Sequence, residues 1–151
     1  MIFLSEIIEV SNVAVIEASN HKEVIETLLG LVKNSPKITN YEEFREAIWE
    51  REKIISTGIG LGLAIPHARR DIIKEFVGAV VLLKKSVPWK SIDDKDVNFA
   101  FLVGSPLNSH RDYLQLLAQT VLQWKDESKR RKILTSKSQN ELFLTLKELK
   151  F

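Results

Sequence analysis

The sequence contains no cysteine. Disulfide bonds, thiolate catalysis and cysteine-ligated metal sites are therefore excluded for these 151 residues. The same absence fits a reducing compartment, in which structural disulfides are rare. Any catalytic nucleophile must come from another residue type.

Long hydrophobic runs are missing as well. The longest apolar segments, Val77–Leu83 and Phe99–Val103, have the length of strands and fall well short of the roughly 18 apolar residues of a membrane span. The N-terminal segment Met1–Val10 is interrupted by Glu6 and Glu9 and lacks the basic start of a signal peptide. We therefore expect a cytoplasmic protein with no direct membrane insertion.

A strong charge of one sign is also absent, since the net charge is +2 and the pI is about 8.8. One basic cluster stands out, made of Lys125, Lys129, Arg130, Arg131 and Lys132. No aromatic residues alternate with these cations, as a stacking platform for nucleic acid would require. We interpret the cluster as a solvent-facing helix surface and expect no nucleic-acid partner.

Four helix starts are legible. Asn20 and Asn40 are each followed three residues later by a glutamate, a pattern typical of a helix N-terminus. Ser138 begins a similar pattern. Ser109 is predicted to cap a longer helix, whose buried stripe is expected at Leu114, Leu117, Val121 and Trp124.

Strand-like segments lie between these helices. Val77–Leu83 and Val97–Val103 are almost continuously apolar, as strands covered on both faces are. Val13–Glu17 and Leu63–Ile65 are predicted to be extended, and Gly104-Ser105-Pro106 is predicted to be a turn. This mixture predicts an α/β fold: a single-domain sandwich with a central mixed β-sheet and helices on both faces.

The densest chemical signal lies between Arg51 and Arg70. This segment combines three alternating glycines, two hydroxyls, a Pro-His pair and three arginines: Gly58, Gly60, Gly62, Ser56, Thr57, Pro66, His67, Arg51, Arg69 and Arg70. Glycine-rich backbone, hydroxyls, arginine and a titratable imidazole are the parts of an anion site. The sequence has only three histidines, and His67 is the one with these neighbours.

Other interpretations of the segment are weaker. The spacing G-x-G-x-G matches neither the dinucleotide fingerprint nor the P-loop. A zinc site built from two histidines with Asp112 or Glu52 lacks the usual ligand spacing. A serine hydrolase using Ser56, His67 and Asp71 lacks the G-x-S-x-G elbow.

The run STGIGLGLAIPHAR resembles the active-site signature of the fructose/mannitol-type enzyme IIA family of the phosphoenolpyruvate-dependent sugar phosphotransferase system. This family includes nitrogen-regulatory paralogues. The resemblance extends to Arg51-Glu52, to Val87-Pro88-Trp89 and to His110 at the start of a leucine-rich helix. It implies that residues 1–151 form one enzyme IIA domain of type 2.

The resemblance also implies residue roles. In such proteins the histidine of the I-P-H motif accepts a phosphoryl group from the phosphocarrier protein HPr and passes it to a cysteine of enzyme IIB. Here that histidine is His67. By the same match His110 supports the phosphoryl group, Arg51 helps to bind it, and Thr57 and the backbone around Gly58 line the site. The scheme needs no metal and no cofactor.

Two functions remain open within this family. One is transport, in which the chain feeds a separate enzyme IIB and its permease, because this sequence contains neither the IIB cysteine nor a membrane span. The alternative is a nitrogen-regulatory type, in which the phosphorylation state of His67 controls binding to regulatory partner proteins. The residues of the site are shared by both functions.

Overall fold

The computed structural model describes residues 2–151, which fold into six strands and five helices. The strands are β1 (Val13–Ile16), β2 (Gly58–Gly60), β3 (Leu63–Ala64), β4 (His67–Arg70), β5 (Val77–Val87) and β6 (Val97–Pro106). The helices are α1 (His21–Val32), α2 (Tyr41–Ile54), α3 (His110–Lys125), α4 (Glu127–Leu134) and α5 (Gln139–Glu148). Two short 3-10 helices, Leu4–Glu6 and Val10–Asn12, precede β1.

The strands form one mixed sheet in the order β1-β5-β6-β3-β2, and β4 also pairs with β6. The pairs β1–β5, β3–β6 and β4–β6 are parallel, whereas β5–β6 and β2–β3 are antiparallel. The predicted α/β class with a central mixed sheet is thereby confirmed.

Helices cover both faces of the sheet, as predicted. Alternate side chains of β5 point to opposite faces: Ala79 and Val81 pack with α1 and α2, whereas Val80 and Leu82 pack with α3, α4 and α5. Each face therefore has its own apolar cluster. This two-sided burial explains why β5 and β6 are almost continuously hydrophobic.

The helix starts are largely as expected. The side chains of Asn20, Asn40 and Ser138 each accept a hydrogen bond from the backbone N–H three residues later, which satisfies a donor that the helix itself leaves free. Ser109 precedes α3, but its side chain makes no capping hydrogen bond. Its ψ of 38° departs from the extended geometry that directs a capping hydroxyl to the helix N-terminus.

The predicted buried stripe of α3 is only partly correct. Trp124 is buried as predicted, Leu117 and Val121 are partly buried, and Leu114 is 50% exposed. The fully buried positions before Trp124 are Tyr113, Leu116, Thr120 and Gln123. The Thr120 hydroxyl donates to the Leu116 carbonyl of its own helix, so this polar residue can be buried at low cost. An apolarity pattern does not detect such a residue.

One boundary differs from the expectations, and the basic cluster has internal partners. Gly104-Ser105-Pro106 is not a turn, because β6 continues to Pro106 and pairs with β4. The basic cluster lies partly on α4, where Arg130 donates to the carbonyl of Trp124 at 2.8 Å and Arg131 pairs with Glu127 at 2.6 Å. Part of the cluster therefore serves helix ends and local ion pairs.

Of the helices in residues 2–151, none combines the length and apolarity that crossing a membrane requires.

Candidate functional site around His67

Strand β4 carries His67 at the edge of β6. Strands β3 and β4 lie one after the other along this edge, with Ile65 and Pro66 between them. Successive side chains on a strand alternate between faces. Ala68 packs into the cluster of α1 and α2, so His67 points to the opposite face, where α3 lies.

The imidazole of His67 is held by the backbone. Its Nδ1 lies 2.6 Å from the carbonyl oxygen of Ile65. A carbonyl oxygen can only accept, so Nδ1 must carry the proton and donate it. In the neutral ring the lone pair is then on Nε2, which is the nitrogen available for attack.

The surroundings of His67 lower its pKa below the ordinary imidazole value. Burial is the largest cause, because it disfavours the charged ring. The hydrogen bond to Ile65 and the charge of Glu52 act in the opposite direction, while the positive charge of Arg51 lowers the pKa further. The ring is therefore neutral and nucleophilic at pH 7.

Arg51 lies in the last turn of α2, and its Nη1 donates to the carbonyl of Ile55 at 2.8 Å. This bond orients the guanidinium and leaves its other N–H groups available. The neighbouring Glu52 turns towards β2 and accepts from the Thr57 hydroxyl, the Thr57 backbone N–H and the Trp89 indole. Glu52 thus links the C-terminal end of α2 to the start of β2 and to Trp89.

Thr57 and Gly58 are both buried in this scaffold. The Thr57 hydroxyl donates its only proton to Glu52, and the residue is 1% exposed. The Gly58 N–H donates to the Ser56 hydroxyl at 3.2 Å. A Cβ at position 58 would lie 2.8 Å from the Cβ of Ser91, so glycine is needed where these two segments meet.

The other alternating glycines shape a tight hairpin. Strands β2 and β3 pair antiparallel with Gly60 opposite Leu63. The two residues between them, Leu61 and Gly62, both have positive φ, at 55° and 82°. This is the signature of a two-residue primed turn, and it returns the chain to the strand that leads into Pro66 and His67.

Helix α3 brings two further residues to this edge. Tyr113 packs against His67 with ring centroids 5.7 Å apart and an interplanar angle of 55°. His110 is exposed at the start of α3, one turn before Tyr113 and on the same side of the helix. Tyr113 is therefore the direct neighbour of His67 on α3, and His110 lies one turn earlier on the same helix.

The arginines predicted as an anion-binding group separate in space. Arg69 shares the His67 face of β4 and donates to the Leu107 carbonyl at 2.6 Å. Arg70 points to the other face and lies 3.5 Å from Glu50. The charges of Arg51, Arg69 and Arg70 all reach Tyr113, where they oppose the effect of burial on its pKa.

An apolar hollow of about 480 Å³ adjoins His67. Apart from the imidazole, it is lined by Ile59, Ile65, Leu117, Ala118, Val121 and Leu122. A larger groove of about 1210 Å³ lies on the α2 side and includes Arg51 and Trp89 but not His67. The two concavities share Ile59, and His67 lines only the apolar one.

Sequence reasoning did not identify Tyr113 or the carbonyl of Ile65. Tyr113 could have been found from its position three residues after His110, because i and i+3 share a helix face. The Ile65 carbonyl gives no sequence signal, since every residue has one. Within residues 2–151, no group of three or more histidine, aspartate or glutamate side chains is placed to hold a metal ion.

This fold is shared with solved IIA proteins. Residues 6–149 match the family described as phosphoenolpyruvate-dependent sugar phosphotransferase system, EIIA 2. The match spans nearly the whole chain, and the protein therefore belongs to this family.

Two curated relatives illustrate the family. The fructose-specific EIIA component of Haloferax volcanii is 28% identical over 125 residues, which cover 83% of this chain and 81% of that protein. The fructose-specific EIIABC component of Bacillus subtilis is 26% identical over 127 residues, which cover 84% of this chain. The matched region is 20% of that longer relative.

Solved structures agree with this assignment. The nitrogen regulatory protein IIA-Ntr of Neisseria meningitidis superimposes with a TM-score of 0.85 at 28% identity, covering 95% of this chain and 98% of that one. IIA mannitol of Escherichia coli gives a TM-score of 0.76 at 18% identity, covering 92% and 98%. The second likeness is one of fold alone.

Proposed function

We propose that this protein is a cytoplasmic phosphoryl carrier that works through a phosphohistidine at His67. Nε2 of His67 accepts the phosphoryl group from phosphorylated HPr and passes it to a cysteine of a separate enzyme IIB, in the service of sugar uptake and phosphorylation. The observation that carries the proposal is the hydrogen bond from Nδ1 to Ile65, because it leaves the Nε2 lone pair as the nucleophile.

The two transfers are simple displacements at phosphorus. In the first, the lone pair of His67 Nε2 forms the N–P bond while the bond between phosphorus and the donor atom breaks, and the donor atom keeps that electron pair. The proton on Nδ1 stays in place throughout. In the second, the acceptor thiolate forms the S–P bond and Nε2 recovers its lone pair.

Charge neutralisation comes from side chains around the ring. Phosphoryl transfer depends mainly on positioning and on stabilising charge at the phosphoryl oxygens. Arg51 supplies a positive charge that lowers the pKa of His67, and His110, at the start of α3, would add a second group that contacts the phosphoryl oxygens. Gly58 and Thr57 hold the backbone behind the site and act mainly through that scaffold.

The apolar hollow beside His67 suits a carrier that works between two proteins. A docking partner would cover Leu117, Val121 and Leu122 and exclude water from the phosphoryl group, which strengthens the electrostatic contacts there. We further propose that residues 1–151 act as one enzyme IIA domain. The accepting cysteine must lie outside these residues, because none is present.

A regulatory function is the second candidate. The likeness to the nitrogen regulatory protein of Neisseria meningitidis, at 28% identity over nearly the whole chain, favours it. In that case the phosphorylation state of His67 would control binding to regulatory partners, and transfer to enzyme IIB would not be the main outcome. The chemistry at His67 is the same in both functions.

Labelling with phosphorylated HPr tests the common chemistry. We expect the wild type and His21→Ala to take up one acid-labile, base-stable phosphate, and His67→Ala to take up none. His110→Ala should accept the label but transfer it more slowly. Label persisting in His67→Ala would disprove the assignment of the nucleophile.

Deletion of the gene separates the two functions. Loss of phosphorylation of a sugar supports transport, especially if the labelled protein hands its phosphate to a purified enzyme IIB. Unchanged uptake together with altered regulation supports the second function.

A further inference from the structure

Tyr113 is the aromatic residue in contact with His67, and its position is not explained by packing alone. Its ring lies 5.7 Å from the imidazole, while the residue as a whole is 8% exposed. The body of the ring belongs to the cluster between the sheet and α3 to α5. An all-carbon side chain would fill that space equally well, so the hydroxyl needs a separate explanation.

The Tyr113 hydroxyl is open to a ligand. It makes no hydrogen bond within residues 2–151. The buried side-chain polar atoms that lack a partner in that range are those of Asn98 and Ser136, and the Tyr113 hydroxyl is not among them. The hydroxyl of this nearly buried tyrosine is thus not fully enclosed and has no partner within residues 2–151, whereas buried phenols normally find one.

Arginine charges on α2 and β4 act on the Tyr113 hydroxyl from a distance. The charges of Arg51, Arg69 and Arg70 all act on it, although burial dominates and raises the pKa of Tyr113 to about 12. The phenol therefore keeps its proton at neutral pH and can only lose it in strong base. A protonated donor in a positive environment next to His67 is suited to an anion.

We propose that Tyr113 is part of the phosphoryl site: its ring steadies the imidazole of His67, and its hydroxyl donates a hydrogen bond to an oxygen of the phosphoryl group on Nε2. No proton is transferred in this step, because the phenol keeps its proton as a hydrogen-bond donor. The inference rests on the proposed function of His67. It adds a contact to the phosphoryl group from the first turn of α3.

The Tyr113→Phe variant removes the hydroxyl and keeps the ring. The sequence contains one other tyrosine, Tyr41 at the start of α2, so Tyr41→Phe is the matched control. We expect phosphorylation of Tyr113→Phe by phosphorylated HPr to slow by about threefold to tenfold, as the loss of one hydrogen bond implies. Tyr41→Phe should react at the wild-type rate.

Magnetic resonance of the wild-type protein gives a test that does not depend on any variant. The protein is labelled with ¹³C in its tyrosine rings and phosphorylated with phosphoramidate, which needs no docking partner. We expect the Cζ signal of Tyr113, the carbon that bears the hydroxyl, to move more than its Cδ signals. The Tyr41 signals should not move.

The outcomes distinguish this inference from the function on which it rests. If His67 takes no phosphate from HPr or phosphoramidate, the carrier function fails and the role of Tyr113 fails with it. If His67 is phosphorylated while Cζ of Tyr113 stays in place, the hydroxyl contact is wrong and the carrier function stands. A slow Tyr113→Phe variant without a Cζ shift also overturns the contact, because it leaves only an effect of the ring.

Discussion

The two ends of α3 are built in opposite ways. At the C-terminal end, Trp124 is 1% exposed, its indole donates to the Leu61 carbonyl at 2.8 Å, and it stacks on Phe99 with ring centroids 4.7 Å apart. Its own carbonyl accepts from Arg130. This end is tied to the β2–β3 turn, to the sheet and to α4.

The N-terminal end has few such ties. Ser109 makes no capping hydrogen bond, His110 is exposed, and the Tyr113 hydroxyl has no partner within residues 2–151. Groups that a structural helix end would satisfy internally are left available here. The comparison shows how a helix anchored at one end can hold functional side chains in position at the other without using up their hydrogen bonds.

Removing the Trp124 side chain, which anchors the C-terminal end of α3, should have the largest effect on the free energy of unfolding. Trp124→Ala loses a fully buried aromatic and a satisfied indole N–H, and we expect the free energy of unfolding to fall by about 3–5 kcal/mol. Chemical denaturation measures this. Leu122→Ala is the control two residues away, since Leu122 is 62% exposed; equal losses in both variants would show that this end of α3 is not the anchor.

Substitutions near His67, at the N-terminal end of α3, should slow phosphoryl transfer and leave the free energy of unfolding nearly unchanged. Arg51→Ala removes the charge beside His67, and we expect phosphoryl transfer from HPr to slow by about tenfold to a hundredfold, corresponding to a charged contact of roughly 1.5–3 kcal/mol. Lys53→Ala, an exposed residue in the same last turn of α2, should transfer at the wild-type rate. Wild-type kinetics for Arg51→Ala would remove it from the site.

The hydrogen bond between α3 and α4 should contribute less to the free energy of unfolding than the Trp124 side chain does. Arg130→Ala removes the donor to the Trp124 carbonyl, with an expected loss of about 1 kcal/mol in the free energy of unfolding. Arg131→Ala should cause no measurable change, because its pair with Glu127 is more than 70% exposed on both sides. A larger loss for Arg131 than for Arg130 would contradict this view of the basic cluster.

The pH dependence of His67 should be the smallest of these effects. Burial lowers its pKa below the ordinary imidazole value of 6.5, so the unfolded chain takes up a proton at higher pH than the folded one. The contribution of His67 to the free energy of unfolding is therefore fully present above pH 6.5. It is lost as the pH falls towards the pKa of His67 in the folded state. An NMR titration of His67 with a midpoint at or above 6.5 would contradict the burial argument.

Much of the fold was predictable from local patterns. The asparagine and serine caps and the apolar runs of β5 and β6 follow from rules that act within a few residues. The short strands β2 and β4 were missed, because β4 is the sequence His67-Ala68-Arg69-Arg70 and becomes a strand only through pairing with β6. Tertiary pairing overrides weak strand propensity at such positions.

The site was predictable in outline and not in detail. The motif around Pro66-His67 predicted His67 as the nucleophile, and Arg51 was expected beside it. The hydrogen bonds from Thr57 and Trp89 to Glu52 join residues up to 37 positions apart. No rule based on neighbouring residues predicts them. The roles predicted for His110, Arg51, Thr57 and Gly58 stay predictions until transfer is measured.

The hydrogen bond that orients His67 ends on a main-chain oxygen. Mutations change side chains, and every possible residue at position 65 would still present a carbonyl there. The tautomer of His67 is therefore insensitive to side-chain substitution at position 65, which would not hold for a side-chain partner. A single amino-acid substitution can remove the side chain of Arg51 or Tyr113. No substitution at position 65 removes the main-chain carbonyl that orients the imidazole.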